Sequence, residues 1–311
     1  MSYSNDTAAV ANSSDDVGSP YGYIPTRAVC IVFIVLFGLS TLLHIGQAIR
    51  SRTWWMLPSM GIGSFGETVG WCGRLWSSKN PGLLDPYLMQ ITSTIIAPSF
   101  MSAANFTILG FIIRKLGLQY SRLSPRLYLI VFITLDVASL TVQAIGGANA
   151  SMAAQNNRDA EPGGKIMLYG IVTQMIALTA YVVLGTESIV RYYLDKPVRQ
   201  IAIKNNQGSS DDATLNEKVS RPRSEIDGKT KLMLLGLVIN TTFLFIRAIY
   251  RTIELNDGWD GSIITNQALF NWLDGMPITV CTYTFNILHP GMLLPRKNRR
   301  SSSTEAKEIV V

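Results

Sequence analysis

Seven long apolar stretches run through this chain, at residues 24–49, 54–76, 86–113, 127–150, 165–190, 231–253 and 267–290, and several of them carry ionisable side chains. Each has roughly the 20 residues that a helix rising about 1.5 Å per residue needs to cross the hydrocarbon of a bilayer. Lipid offers no partner to a backbone N–H or C=O, so a spanning segment must satisfy its own polar groups. No alternating-strand pattern competes. The expected fold is therefore all-α: a polytopic membrane protein built as a bundle of seven transmembrane helices. Charged residues make up 15% of the chain, against roughly 25% for a soluble domain. Polar ends and one long polar loop hold the mean hydropathy down to +0.23.

Orientation follows from the basic residues. With the N-terminus outside, the internal segments hold Arg50, Arg52, Arg114, Lys115, Arg122 and Arg126, the loop from Arg191 to Lys231, and a tail opening with Arg296 and Lys297. The external loops hold little beyond Lys79, Arg158 and Lys165. The positive-inside rule then predicts an external N-terminus and a cytoplasmic C-terminus. Basic loops facing anionic headgroups account for a pI near 9.2 without nucleic acid as a partner. The first stretch is too long for a cleaved signal, and Asp15 and Asp16 precede it where a basic region would stand. Residues 1–20 are expected to be a disordered external tail, 21–295 the membrane domain, 197–228 a flexible cytoplasmic linker, and 296–311 a basic cytoplasmic tail.

The buried charges are where function is expected, because hydrocarbon penalises an isolated charge by at least ~3 kcal/mol on insertion scales. On the second stretch, about 100° per residue places Gly63, Glu67, Gly70 and Arg74 within about a 60° arc, with Gly66 and Gly73 beside it. Small residues permit close approach, so that face should pack inward and carry its charges with it. Asn240, Arg247, Arg251 and Glu254 share a face of the sixth stretch, and Asp136, Gln143 and Gly147 a face of the fourth. In the assumed topology Glu67, Glu254 and Asp274 face Arg74, Arg247 and Arg251 at similar depth in the outer half. Some of these should be ion pairs that fix the bundle, or headgroup contacts. Glu67 and Asp136 have no basic residue within one helical turn. With Gln143 and Asp274 they are the candidates for substrate binding or proton coupling, in a polar vestibule opening outward. Pro98 interrupts the third stretch, and Gly275 with Pro277 the seventh. A proline frees a backbone carbonyl, which protein or water must then satisfy.

Other chemistry finds little support. Cys30, Cys72 and Cys281 supply neither an external disulfide framework nor metal-ligand spacing. His44 and His289 are too few for a metal centre, and structural roles suit them better. No metal, cofactor or enzymatic activity is expected. Asn5 and Asn12 open N-glycosylation sequons in the external tail. Arg221-Pro222-Arg223-Ser224 and Arg299-Arg300-Ser301-Ser302 offer the cytoplasmic loop and tail to a basophilic kinase or another protein partner. No internal repeat is visible, and Gly228-Lys229-Thr230 lacks the upstream glycine of a nucleotide-binding loop.

Several segments resemble the fungal RTA-like family of seven-helix membrane proteins, the lipid-translocating exporters. They include Tyr21-Gly22-Tyr23-Ile24-Pro25, Gly66-Glu67 with Gly73-Arg74, Ile96-Ala97-Pro98, and Tyr120-Ser121-Arg122-Leu123-Ser124-Pro125-Arg126. They continue through Asp136 to Gln143-Ala144-Ile145-Gly146-Gly147, Phe245-Ile246-Arg247-Ala248-Ile249-Tyr250-Arg251 and His289-Pro290-Gly291. The resemblance covers about residues 21–295. It implies a fungal protein of the plasma membrane, or alternatively an endomembrane, that moves sphingoid long-chain bases or toxic amphiphiles, with membrane lipids as its surroundings. It departs from the family pattern before the seventh helix, where Asn266-Gln267-Ala268 stands in place of an expected acid. The alternative is a seven-helix receptor or sensor, or a regulator of another transporter. A rhodopsin-like receptor is disfavoured: the third stretch ends Ile112-Ile113-Arg114-Lys115, without an acidic-Arg-Tyr switch, and the seventh has no lysine for a Schiff base.

Overall fold

The computed structural model describes residues 19–156, 158–198, 226–258 and 261–294, and among them every regular element is helical. Five helices are long and apolar enough to cross a membrane: α1 (Arg27–Ser51), α3 (Leu84–Leu116), α4 (Pro125–Gln155), α5 (Glu161–Tyr193) and α6 (Gly228–Asp257). Each matches an expected stretch to within a few residues. The second and seventh stretches are helical too, but a π turn divides each. Leu57–Gly61 runs into α2 (Ile62–Ser77), and Asn271–Gly275 joins α7 (Gln267–Phe270) to α8 (Met276–Ile287). The seventh stretch ends short of Pro290, because the chain leaves the helix at Leu288 and His289 caps a new turn, α9 (Pro290–Leu293). The expected sequons at Asn5 and Asn12, both kinase motifs, most of the 197–228 linker and the basic tail lie outside the described residues.

Helix α3 sits at the centre. It is buried along 72% of its most apolar stretch, where the other four long helices are buried along 28–33%. Their outer faces present Leu42, Ile130 and Ile176, all more than half exposed, a surface suited to hydrocarbon. Contrary to expectation, Pro98 does not interrupt α3, which runs through it as one helix. Neighbouring elements tolerate the lost hydrogen bond because they supply another donor, as described below.

Glycines set the distance of α2 from this central helix. A Cβ at Gly63 would stand 3.1 Å from the Ala97 carbonyl, and one at Gly73 would stand 2.9 Å from that of Pro86. Gly63, Glu67, Gly70 and Arg74 are all buried, so the glycine face does carry its two charges inward. Helices α4 and α5 touch in the same manner at Gly146 and Gly163, where the facing backbones leave no space for a side chain. Polar caps close the loops: Ser124 Oγ accepts from Leu127 N at 3.3 Å, and Asn266 Oδ1 accepts from Ala268 N at 3.0 Å. The asparagine at the family's expected acidic position is therefore a helix cap.

Ahead of α1, residues 19–26 cross the end of the bundle as a strap. Gly22 takes a positive φ of 70° there, with its α-carbon against Thr265. Tyr21 lies edge-on to Tyr87 of α3, and its hydroxyl is 3.4 Å from Ser77 Oγ at the end of α2.

Candidate functional site

The charged site begins with Pro98. Lacking an N–H, it leaves the Thr94 carbonyl of the preceding turn without a helical donor. Arg247 of α6 fills the gap, its Nη2 donating to Thr94 O at 2.5 Å. One turn along α6, Arg251 Nη2 donates to the Thr94 hydroxyl at 3.2 Å. Arg251 also grips Asp274 with two bonds, Nε to Oδ1 at 2.7 Å and Nη2 to Oδ2 at 3.0 Å, the fork geometry that suits a carboxylate. Its Nη1 donates to Glu254 Oε2 at 2.9 Å, and Tyr250 donates to the other Glu254 oxygen at 2.9 Å. Arg247 Nε is 2.9 Å from the same Asp274 oxygen. Two arginines thus meet two acids, and all four residues are buried. Asp274 can reach both because it lies in the π turn. Such turns are common where a helix must present a side chain out of the ordinary register.

Arg74 departs from the expected pattern. The sequence places it among three arginines opposed by three acids, yet no carboxylate lies within 4.0 Å of it among the described residues. Its guanidinium is held instead by aromatic rings: Phe270 at 4.3 Å from the ring centre, Tyr21 at 5.1 Å, Tyr23 at 5.5 Å and Trp71 at 5.6 Å. Its Nη2 also donates to the Tyr23 hydroxyl. Burial pushes the Tyr21 phenol up to about 12 and raises that of Tyr23, so both meet the cation as neutral rings. Cation–π contacts gain strength away from water, which makes this cage a workable substitute for an anion. The sequence hides it, because its walls come from the strap, α2 and α7.

The two remaining candidate carboxylates, Glu67 and Asp136, have no ion pair among the described residues. Neither oxygen of Glu67 has a hydrogen-bond partner among the described residues, although the charges of Arg247, Asp274 and Arg251 act on it through space. Asp136 of α4 likewise has a buried Oδ2 without a partner and no ion pair among the described residues. The two differ in what they face. Asp136 lines a cavity of about 40 Å³ together with Gln143, Gln174, Arg247 and Arg251. That volume suits one or a few waters or a compact polar group. Gln143 donates to Gln174 Oε1 at 3.1 Å, and Gln174 donates to Ser99 at 2.7 Å, so a polar chain leads from α4 across α5 to α3. Glu67 and Asp274 line neither this cavity nor the larger chamber beside it.

That chamber has a volume of about 540 Å³ and opens between α3, α4 and the strap. Gln143 and Ile95 belong to both spaces, so the polar cavity is the floor of the larger one. The expected vestibule is polar, but the walls of this chamber are chiefly Leu, Ile, Ala and Gly, with Gln143 at its base and Ser19, Thr92, Ser151 and Thr265 among the other lining residues. Charge on a helix is visible in sequence, whereas a chamber arises where side chains stop short. The signal available was the run of small residues on α4 after Gln143, which reads equally well as close packing. Gln174, Thr94 and Tyr250 were missed because an uncharged polar residue in an apolar helix is common.

Other predicted groups are accounted for by packing. His44 Nε2 lies 3.2 Å from the Thr282 carbonyl, and His289 Nδ1 accepts from Gly291 N at 3.1 Å. Glu187 is shared by Arg122 and Arg191, with contacts of 2.9 and 2.7 Å. Asn240 donates to the Cys281 carbonyl at 2.8 Å. No cluster of three metal-ligating side chains occurs among the described residues.

Comparison with known proteins places this geometry in context. A family model described as RTA1 like protein matches residues 60–297. The sphingoid long-chain base transporter RSB1 of Saccharomyces cerevisiae (strain JAY291) is 28% identical over 300 residues, covering 93% of this chain and 77% of that protein. Protein RTA1 of S. cerevisiae is 24% identical, covering 87% of this chain and 84% of its own. Protoporphyrin uptake protein 1 of the same yeast is 22% identical, covering 86% and 90%. No solved structure matches the chain.

Proposed function

This chain belongs to the RTA1-like protein family, and we propose that it is an integral membrane transporter that moves a cationic amphiphile, of the sphingoid-base kind, from one leaflet to the other. The observation that carries the reading is Asp136. Of the charged groups around the polar cavity, Arg247 and Arg251 are matched by Asp274 and Glu254, whereas Asp136 has no ion pair among the described residues. The cavity therefore carries one uncompensated acid, and its natural guest is an ammonium or a proton. An apolar chamber stands directly above, able to take the hydrocarbon part of the same molecule. The name of the relative RSB1 fits a long-chain base in this role.

In this reading residues 54–77 and 267–287 are the second and seventh crossings, the N-terminus is outside, and the chamber opens toward the outer leaflet of the plasma membrane. The basic residues Arg114, Lys115, Arg122 and Arg126 then face the cytoplasm, as the positive-inside rule requires. Asp136 binds the head or exchanges a proton as the head leaves. The paired arginines keep the cavity wall polar without adding a competing positive charge.

The test is flux in liposomes made with purified protein and a fluorescent long-chain base. Wild-type protein should accelerate transfer between leaflets. Asp136→Asn should slow it about tenfold to a hundredfold, the range that loss of a charged hydrogen bond of about 1.5–3 kcal/mol allows. A wild-type protein that transfers no long-chain base would instead point to a sensor or a regulator of another transporter.

A further inference from the structure

We propose that the late half of α4 is a binding track for the hydrocarbon chain of a single-chain amphiphile, with Gly147 setting its width. The proposal rests on the functional reading above and deepens it, assigning one wall of the same chamber. The chamber wall on α4 is built from small residues at helical spacing: Ala144, Gly147, Ala148, Ser151 and Ala154, leading from the open end down to Gln143. Small residues on a helix usually mark a surface against which another helix packs. Here the two kinds separate cleanly. Gly146, on the neighbouring face, touches the α5 backbone so closely that no Cβ fits. A Cβ at Gly147 would meet only the Met167 sulfur, at 3.7 Å, an ordinary contact. The small size of Gly147 therefore does not serve helix packing. What it creates is free volume inside the chamber.

A second observation points to a ligand. The track ends at the cavity where Asp136, 6% exposed, holds an unpartnered carboxylate oxygen. A molecule lying along α4 with its cationic head at Asp136 would place its chain over Gly147 and Ala148. A volume of about 540 Å³ lies in the range that takes one small-molecule ligand.

The experiment uses the full chain in phosphatidylcholine vesicles, with octadecylamine as the probe. Gly147→Cys places a thiol in the track, and Gly38→Cys places one on α1 where nothing lies within 4 Å, as a control facing the bilayer. Labelling by N-ethylmaleimide is followed for both, against the unmodified protein as background. Octadecylamine that leaves one site in ten free should slow labelling at position 147 about tenfold and leave position 38 unchanged. Gly147→Leu should block octadecylamine flux while melting within a few degrees of wild type. Equal labelling at 147 with and without amine, in a protein that still moves the amine in an Asp136-dependent way, overturns the track and leaves the transport reading standing. Protection at 147 in a protein that moves no amine overturns transport and leaves the track standing.

Discussion

The paired and the unpaired charges of this bundle lie within one site and have opposite characters. Around Asp274, two arginines and two acids pair with one another, with Tyr250 and the Pro98-freed carbonyl adding hydrogen bonds. Around Asp136, two glutamines and a water-sized space leave a carboxylate oxygen with nothing to bind. Burial alone does not distinguish them, since Asp274 and Asp136 are both buried. Satisfaction does. A closed set of charges is a staple between α3, α6 and the π turn, while an open one is available to a guest.

The largest test of this contrast removes the staple. Asp274→Ala removes the carboxylate that both Arg247 and Arg251 contact, and breaking such a buried pair costs about 3–5 kcal/mol. Folded yield and the thermal midpoint in detergent should both fall sharply. A variant that melts like wild type would mean that water already reaches the cluster and that it is no staple.

The next test works on the open side and should invert the pattern. Asp136→Asn keeps the shape and removes a charge that has no partner, so the thermal midpoint should hold or rise slightly while flux falls. Loss of flux accompanied by an equal loss of folded protein would place Asp136 with the structural set. Glu67→Gln extends the comparison, because Glu67 is unpaired but lines neither cavity. Its flux should change less than that of Asp136→Asn.

A smaller effect is expected at the aromatic cage. Tyr23→Phe keeps the ring over Arg74 and removes only the hydroxyl acceptor, so a loss of about 1.5 kcal/mol is expected, the low end for a hydrogen bond to a charged group. Arg74→Gln should cost more, since four rings lose the cation they enclose. Thermal midpoints of the two variants check the order. If Tyr23→Phe cost as much as Arg74→Gln, the hydroxyl and not the rings would be holding the arginine.

The helices themselves were legible because length and apolar composition are local properties. The inward face of α2 was legible because four glycines, one glutamate and one arginine obey one angular period. Pairing was only partly so. Depth along a helix can be counted from a sequence, and Arg247, Arg251, Glu254 and Asp274, counted to similar depth, lie together in the fold. Azimuth between helices cannot be counted, and it brings Arg74 against rings contributed by Tyr21, Tyr23 and Phe270 instead of a carboxylate partner among the described residues. The chamber was the least legible feature, since it is made by what Gly147 and its small neighbours lack.

Pro98 offers the finest test, because it joins a sequence-level rule to the staple. Pro98→Ala restores an N–H that can donate to the Thr94 carbonyl along α3, the acceptor now used by Arg247. The helix should gain from the replacement, since proline is the poorest residue in a helix interior. Arg247 should lose part of its hold, because one carbonyl would then serve two donors. Net stability is a poor readout of two opposed changes, but their coupling is measurable. In a double-mutant cycle, Arg247→Gln should cost about 1 kcal/mol less in the Pro98→Ala background than in wild type, within the usual range for residues sharing a partner. Strict additivity would show that Arg247 is held by Asp274 alone, and that the freed carbonyl of α3 contributes nothing to the charged site.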